Sequence, residues 1–129
     1  MKVLVIDDSE LARSQIRALL TRAGMEVFEQ PSAIGATRPI MQNAIDVAVV
    51  DVNMPGLSGP KRLGVLRQNS RLKHLVLIVI SGRSWSEPEN VARDSGADAL
   101  LPKDRVEDEL ADVIKRVAPM ASARRVASA

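Results

Sequence analysis

Four short runs of apolar residues recur along the chain, and each stops at a polar residue or a proline. The run Val47–Val50 is mostly β-branched and ends at Asp51. Unbroken runs of this kind are typical of strands buried on both faces, as in a parallel sheet. The other runs are Val3–Ile6, Leu75–Ile80 and the weaker Ala99–Leu101. The pattern therefore predicts strands at these four places, with a fifth, more alternating strand at Met25–Gln30.

Between the strands, apolar residues recur at helical spacing. The first helix is predicted from the N-cap Ser9 to Gly24, and the fifth from Asp104 to Val117. The three others are expected at Pro31 to about Asn43, from Ser58 or Gly59 onward, and from Pro88 to about Ser95. Five strands alternating with five helices predict an α/β fold, a doubly wound parallel sheet with helices on both faces.

Composition narrows the class of protein. The chain has 129 residues, 46% of them hydrophobic, which suits one domain of the usual size, roughly 100–200 residues. It has no cysteine, so disulfides and thiol chemistry are excluded. Met1 leads directly into a strand, and no apolar run approaches the ~20 residues needed to span a bilayer. We therefore expect a soluble, cytoplasmic protein without a leader peptide or a membrane contact.

The net charge of +2 is concentrated at the C-terminus. Arg124 and Arg125 account for it, and the rest of the chain is neutral overall. We predict a folded domain over residues 1–118 and a flexible basic tail over 119–129, because Pro119 stops the last helix. Basic residues of the third helix, Arg67 among them, are expected on a solvated face. Nucleic-acid binding is not expected.

Polar side chains follow four of the predicted strands. Asp7 and Asp8 come after the first, Asp51 after the third, Ser81 after the fourth and Lys103 shortly after the fifth. Parallel strands bring their carboxyl ends to one edge of a sheet, where open α/β folds bind ligands. Three carboxylates there would repel one another, and a hard divalent cation such as Mg²⁺ would relieve the repulsion.

Such a cluster suits phosphoryl transfer. An aspartate can attack a phosphoryl group and become an aspartyl phosphate. The reaction depends on in-line positioning and on neutralising the phosphoryl oxygens. Asp51 is the candidate nucleophile, and Lys103, Ser81 and Mg²⁺ are the candidate neutralising groups.

The ordered motifs resemble those of a response-regulator receiver domain of bacterial two-component signalling, close to the single-domain chemotaxis type. The resemblance covers residues 2 to about 118. Its motifs are Asp7-Asp8, Asp51-Val52-Asn53-Met54-Pro55-Gly56, Ser81-Gly82, Gly96-Ala97-Asp98 and Lys103. It implies a flavodoxin-like (βα)5 fold with sheet order 2-1-3-4-5. It also implies a histidine kinase as phosphodonor, and a protein that catalyses only its own phosphorylation and dephosphorylation rather than acting as an enzyme.

The resemblance assigns a role to each site residue. It makes Asp51 the phosphoacceptor, Ser81 the switch hydroxyl and Lys103 the partner of the phosphoryl oxygens. The implied Mg²⁺ ligands are Asp8 directly, Asp7 mainly through water, Asp51, and the backbone carbonyl of Asn53. Arg83 is expected to overlook the phosphoryl site.

Two positions depart from the family pattern. Leu100 stands where the family usually has an aromatic residue that turns inward on activation, and Asp104 follows Lys103 where the family usually has proline. These departures leave a second interpretation open, a pseudo-receiver that serves as an interaction module with weak or no phosphorylation-dependent switching. A phosphohydrolase or phosphomutase is disfavoured, because Asn53 stands where a second acid/base aspartate would be needed.

No further domain follows Val117 in this sequence, so we expect either output through protein–protein contact or a native chain that is longer than this one. The resemblance places the downstream partner on the face formed by the fourth predicted helix, the fifth strand and the fifth predicted helix. Trp85, the only tryptophan, lies near the edge of that face and is either a cover for the fourth helix or an anchor for the partner.

Overall fold

The computed structural model of the chain describes residues 1–51, 66–67, 69–81 and 97–128, without the side chains of Ser81 and Ser128. The strands in these ranges are β1 (Lys2–Ile6), β2 (Glu26–Gln30), β3 (Val47–Asp51), β4 (Val76–Ser81) and β5 (Ala99–Pro102). The α-helices in the same ranges are α1 (Glu10–Arg22), α2 (Thr37–Gln42), α3 (Val106–Val117) and α4 (Pro119–Ser128). Short 3-10 helices span Ser70–Leu72 and Lys103–Arg105.

The five strands form one parallel sheet in the order β2-β1-β3-β4-β5. Both the α/β class and the sheet order expected from the sequence are confirmed. In register, Ile6 pairs with Val50, Asp51 with Ile80, and Ser81 with Pro102. The strands therefore finish at nearly the same level, which brings the polar residues that follow them to one edge.

Side chains that alternate along each strand fill two cores, one on each face of the sheet. On one face Val5, Val49 and Ile78 pack with residues of α1, α3 and α4. On the other, Leu4, Val50 and similar residues pack with α2 and with Leu66 and Leu72. Because the central strands are buried on both faces, a charged side chain can be accommodated only at a strand end.

The second helix is shorter than predicted. It was expected from Pro31, but α2 begins at Thr37, after a loop in which Gly35 adopts φ 82°. That left-handed conformation suits glycine and is incompatible with a continuous helix. Pro39 falls in the first turn of α2, where backbone amides have no intrahelical acceptor to lose. The third and fourth predicted helices lie outside the described ranges, apart from the helical residues 66–67.

The flexible tail predicted for residues 119–129 is wrong, because residues 119–128 form helix α4. Pro119 occupies the first position of this helix, where its missing N–H is harmless. It therefore begins a new helix, whereas it was expected only to end the preceding one. Ala121 is fully buried in the core shared with α1 and α3. None of the described helices is long and apolar enough to cross a membrane.

Arginine–aspartate ion pairs hold α4 against the edge of the sheet where the strands begin. Arg124 contacts Asp98 with Nη2–Oδ1 at 2.5 Å, and both Arg124 and Arg67 donate to the Leu75 carbonyl. The second Asp98 oxygen accepts from Arg67 at 3.0 Å and from the Leu77 amide at 2.9 Å. Arg67 is therefore half-buried in an ion-pair network and does not lie on the solvated face that was expected.

The same network determines how these carboxylates titrate. Burial acts to raise the pKa of Asp98, but the hydrogen bonds from Arg124 and the Leu77 amide outweigh it and hold the pKa below its usual value. The pKa of Asp46 is also lowered, because the Lys2 amide and Arg125 outweigh burial there. Arg125 reaches Asp46 at 2.5 Å. Both carboxylates therefore stabilise the fold in their ionised form.

We expect Arg124→Ala to lower the free energy of unfolding by about 1.5–3 kcal/mol, the scale of a hydrogen bond to a charged group. Urea unfolding measures the loss, and Arg116→Ala on the exposed side of α3 is the control. Because the Asp98 pKa is depressed, the stabilisation is present above the ordinary aspartate pKa and should disappear as pH falls through the folded-state value. A loss no larger than that of Arg116→Ala would show that α4 is not fastened by this pair.

Candidate functional site

Two aspartates lie side by side at the carboxyl edge of the sheet. Asp51 is the last residue of β3, and Asp7 follows the last residue of β1. The Asp7 amide donates to the Gln30 carbonyl at 3.2 Å, which extends the β1–β2 pairing by one residue. Asp7 is 2% exposed and Asp51 6% exposed, and they are the buried charged residues of the described part of the chain.

A lysine on the neighbouring loop faces this pair. Lys103 Nζ lies 3.4 Å from Asp51 Oδ2. It begins the 3-10 helix that follows β5, and the β4–β5 pairing of Ser81 with Pro102 holds that turn at the same edge. The Lys103 side chain remains 51% exposed, so its ammonium can move without disturbing the core.

The turn between β1 and α1 is fixed by several local hydrogen bonds. The Ser9 amide donates to Asp7 Oδ1 at 2.9 Å, and the Ser9 hydroxyl accepts from the Ala12 amide at 3.2 Å as the N-cap of α1. The side chain of Arg13, one turn into α1, donates to the Asp7 backbone carbonyl. Asp7 is thus held through both its carboxylate and its backbone.

The electrostatic environment of Asp7 is unfavourable to its charge. Burial raises the pKa of the Asp7 carboxyl to about 6. The negative charge of Asp51 and a hydrogen bond between the two carboxyls contribute to this rise, whereas the Ser9 amide and the Lys103 ammonium oppose it. Lys103 therefore offsets only part of the cost of ionising Asp7.

Three of the residues predicted for the site come together: Asp7, Asp51 and Lys103. Asp8 is exposed, and the described residues contain no group of three acidic or histidine side chains placed to hold a metal. Asp8 therefore stays a predicted ligand. Ser81 ends β4 at the expected edge, but its side chain is not described, and Asn53, Arg83 and Trp85 lie outside the described ranges.

Arg13 and Glu29 are neighbours of the site that the sequence did not identify. Only 15% of the Arg13 side chain is exposed, and its Nε lies 3.5 Å from Glu29 Oε1. No local sequence signal indicates this contact, because Glu29 belongs to β2, the strand that follows α1 in the chain. Helical periodicity alone places an arginine on a face and does not identify its partner.

The arrangement fits a hard divalent cation. Carboxylate oxygens are the ligands that Mg²⁺ prefers, and one or two carboxylates usually suffice together with waters and phosphate oxygens. Burial, and after it the charge of Asp51, keep the Asp7 pKa high, and a cation beside the two carboxyls would offset both effects. The site also adjoins a groove of about 440 Å³ between α1 and α3, whose lining includes Asp7 and Lys103.

Known sequences match this chain over most of its length. The sequence profile of the family described as the response regulator receiver domain matches residues 3–115. Protein PilG of Pseudomonas aeruginosa is 29% identical over 92% of this chain and 88% of its own length. The gliding motility regulatory protein of Myxococcus xanthus is 31% identical over 91% of this chain, which spans only 15% of that protein.

Comparison of structures agrees with the sequence match. The chemotaxis response regulator CheY4 of Vibrio cholerae superimposes with a TM-score of 0.78 at 28% sequence identity. The match covers 90% of this chain and 97% of that one. The likeness therefore extends over most of the chain.

We expect Asp7→Asn to raise the free energy of unfolding in the absence of Mg²⁺, by about 1–3 kcal/mol, the scale of a pKa displacement of this size. The folded state retains a proton on Asp7 up to a pH of about 6, whereas the unfolded state loses it near pH 3.8. The contribution of Asp7 to wild-type stability should therefore fall as the pH rises from about 3.8 to about 6 and level off above that. Urea unfolding at the two ends of this range measures both effects. Asp112→Asn, at an exposed position of α3, is the control. If the stability of wild type and of Asp7→Asn changes with pH in the same way, the pKa of Asp7 is not raised in the folded state.

Proposed function

The chain belongs to the family of response regulator receiver domains, and we propose that it accepts a phosphoryl group on Asp51. The donor is the phosphohistidine of a histidine kinase, and the reaction requires Mg²⁺. The phosphorylated chain signals by protein–protein contact. It acts on no external substrate and catalyses only its own phosphorylation and dephosphorylation.

The observation that carries this proposal is the buried position of Asp51 between a second carboxyl and an ammonium. Asp51 is 6% exposed, shares a hydrogen bond with Asp7, and lies 3.4 Å from Lys103 Nζ. A carboxylate serving only as a turn residue would gain nothing from burial beside another acid. A nucleophile that needs a metal ion and a counter-charge for the phosphoryl oxygens would have these neighbours.

In the transfer, a carboxylate oxygen of Asp51 forms a bond to phosphorus. The bond from phosphorus to the histidine nitrogen breaks, and its electron pair returns to the imidazole. Lys103 then exchanges its contact with the Asp51 carboxylate for one with a phosphoryl oxygen, which its exposed side chain permits. In dephosphorylation, water attacks the phosphorus and Asp51 leaves as the carboxylate.

Mg²⁺, when bound, neutralises charge on the carboxylates and on the phosphoryl oxygens. Asp8, Asp51 and the Asn53 backbone carbonyl are the proposed direct ligands, with Asp7 acting mainly through water. The Ser81 hydroxyl is the proposed group that meets the phosphoryl group after transfer. These roles come from the family resemblance and extend the arrangement of Asp7, Asp51 and Lys103.

The output face is proposed to include β5 and α3. On α3, Glu107 and Asp108 are exposed, and Glu109 pairs with Arg105 at 3.7 Å. This acidic face suits a partner with basic residues opposite it. The location in the cytoplasm and the absence of nucleic-acid binding stay predictions.

A second function is favoured by Leu100. This residue is half-buried in β5 and packs against the core on the α2 side of the sheet. Without a bulky residue that moves between the interior and the surface, the link between the site and the output face is weaker. The alternative is therefore a pseudo-receiver, an interaction module of the same fold whose partner binding depends little on phosphorylation.

The phosphoacceptor is tested with a small phosphodonor. We expect wild type incubated with Mg²⁺ and acetyl phosphate to gain one phosphoryl group that is stable in acid and labile in base. Asp51→Asn should gain none, because the amide is not a nucleophile for this reaction. Intact-mass measurement detects the change, and Asp112→Asn should behave as wild type. Equal labelling of Asp51→Asn and wild type would overturn the assignment.

The strength of switching is tested on a partner captured from native cells. We expect it to bind the unphosphorylated form appreciably, with a coupling below the ~1–3 kcal/mol typical of allosteric systems, because Leu100 cannot act as an aromatic switch. Affinities of both states are measured by calorimetry, with Asp51→Asn as the form that cannot be phosphorylated. A gain above roughly 150-fold on phosphorylation would restore an ordinary switch.

A further inference from the structure

Arg13 lies beside the site and contacts its backbone. The guanidinium Nη1 donates to the carbonyl of Asp7, while Nε lies 3.5 Å from Glu29 Oε1 at the end of β2. The Arg13 amide donates to the Ser9 carbonyl at 3.0 Å, so the residue is part of the first turn of α1. Arg13 therefore joins three elements, α1, β2 and the turn after β1.

The carbonyl that Arg13 contacts has a particular place in the site. It belongs to the planar peptide that joins Asp7 to Asp8, the two acidic residues predicted to hold Mg²⁺. A hydrogen bond to this oxygen sets the rotation of the whole peptide, and so the directions in which both side chains leave the backbone. Because the donor is a charged guanidinium in a poorly solvated position, the bond is of the stronger, charge-assisted kind.

Arg17 provides an internal comparison. It lies one turn further along α1 and pairs with the other oxygen of Glu29, Nη1–Oε2 at 2.8 Å. Its side chain is 57% exposed, against 15% for Arg13. Both arginines tie α1 to β2 through Glu29, but it is Arg13 that donates to Asp7. Comparing substitutions of the two arginines therefore distinguishes a role in docking α1 onto β2 from a role in the site.

We propose that Arg13 is a positioning residue, which fixes the Asp7–Asp8 peptide so that both carboxylates are ready to bind Mg²⁺. The proposal rests on the proposed Mg²⁺-dependent function. Its effect is geometric: the charges that act on the Asp7 carboxyl are those of Asp51 and Lys103, whereas Arg13 bonds to the backbone. Loss of the bond would leave the ligands in place but require the turn to be ordered when the metal binds.

The test is calorimetric titration of Mg²⁺ into wild type, Arg13→Ala and Arg17→Ala. We expect Arg13→Ala to bind Mg²⁺ about tenfold more weakly, the lower end of the loss seen when groups that orient metal ligands are removed. Arg17→Ala should stay within about twofold of wild type. Arg13→Lys, which retains a charged donor, should recover part of the affinity. Urea unfolding of each variant without Mg²⁺ shows whether it is folded.

Several outcomes would overturn the inference. Wild-type affinity in Arg13→Ala would show that the bond does not position the ligands. Equal weakening in Arg17→Ala would show that docking of α1 through Glu29 is what matters. If wild type itself binds no Mg²⁺, the proposed function fails at its metal site and the inference fails with it. In the first two outcomes wild type still binds Mg²⁺, so only the role of Arg13 is rejected.

Discussion

The close approach of Asp7 and Asp51 is the constraint on which the rest of the structure depends. Burial of Asp7, and after it the neighbouring charge of Asp51, disfavour the ionised Asp7 carboxyl, and its pKa rises to about 6 in consequence. The exposed Lys103 opposes part of this rise. The fold maintains this arrangement because β1 and β3, which are buried on both faces, end at the same level, and an aspartate stands at the carboxyl end of each.

Asp98 and Asp7, at opposite edges of the sheet, have pKa values shifted in opposite directions. At the amino edge, Asp98 accepts from Arg67 and Arg124, and its pKa is lowered. At the carboxyl edge, Asp7 shares its surroundings with Asp51, and its pKa is raised. Asp98 therefore stabilises the fold in its ionised form, whereas the charge of Asp7 is disfavoured where it lies. The opposite directions of the two pKa shifts distinguish the environment of Asp98 from that of Asp7.

Much of this could be predicted from the sequence, because the relevant signals are local. Unbroken apolar runs marked the buried strands, and the polar residues after them indicated the edge where Asp7, Asp51 and Lys103 meet. The sheet order came from the family resemblance, since strand patterns alone do not determine which strands are neighbours.

The errors concern interactions between residues that are distant in the chain. Helix α4 was taken for a flexible tail because its small residues carry little hydrophobic signal. It is ordered by Ala121 in the core and by ion pairs of Arg124 and Arg125 with aspartates before β5 and β3. Arg67 was assigned to a solvated face because it is one of several basic residues in the third predicted helix. Helical periodicity cannot show which acid an arginine will meet after folding.

The most direct test of the account is the titration of the aspartate carboxyls by carbon-detected NMR, with and without Mg²⁺. We predict one carboxyl with a pKa of about 6 in the absence of Mg²⁺, lost in Asp7→Asn and shifted well downward when Mg²⁺ is added to wild type. If every aspartate titrates in the ordinary range, or if Mg²⁺ leaves the high pKa unchanged, Asp7 and Asp51 do not form a cation site.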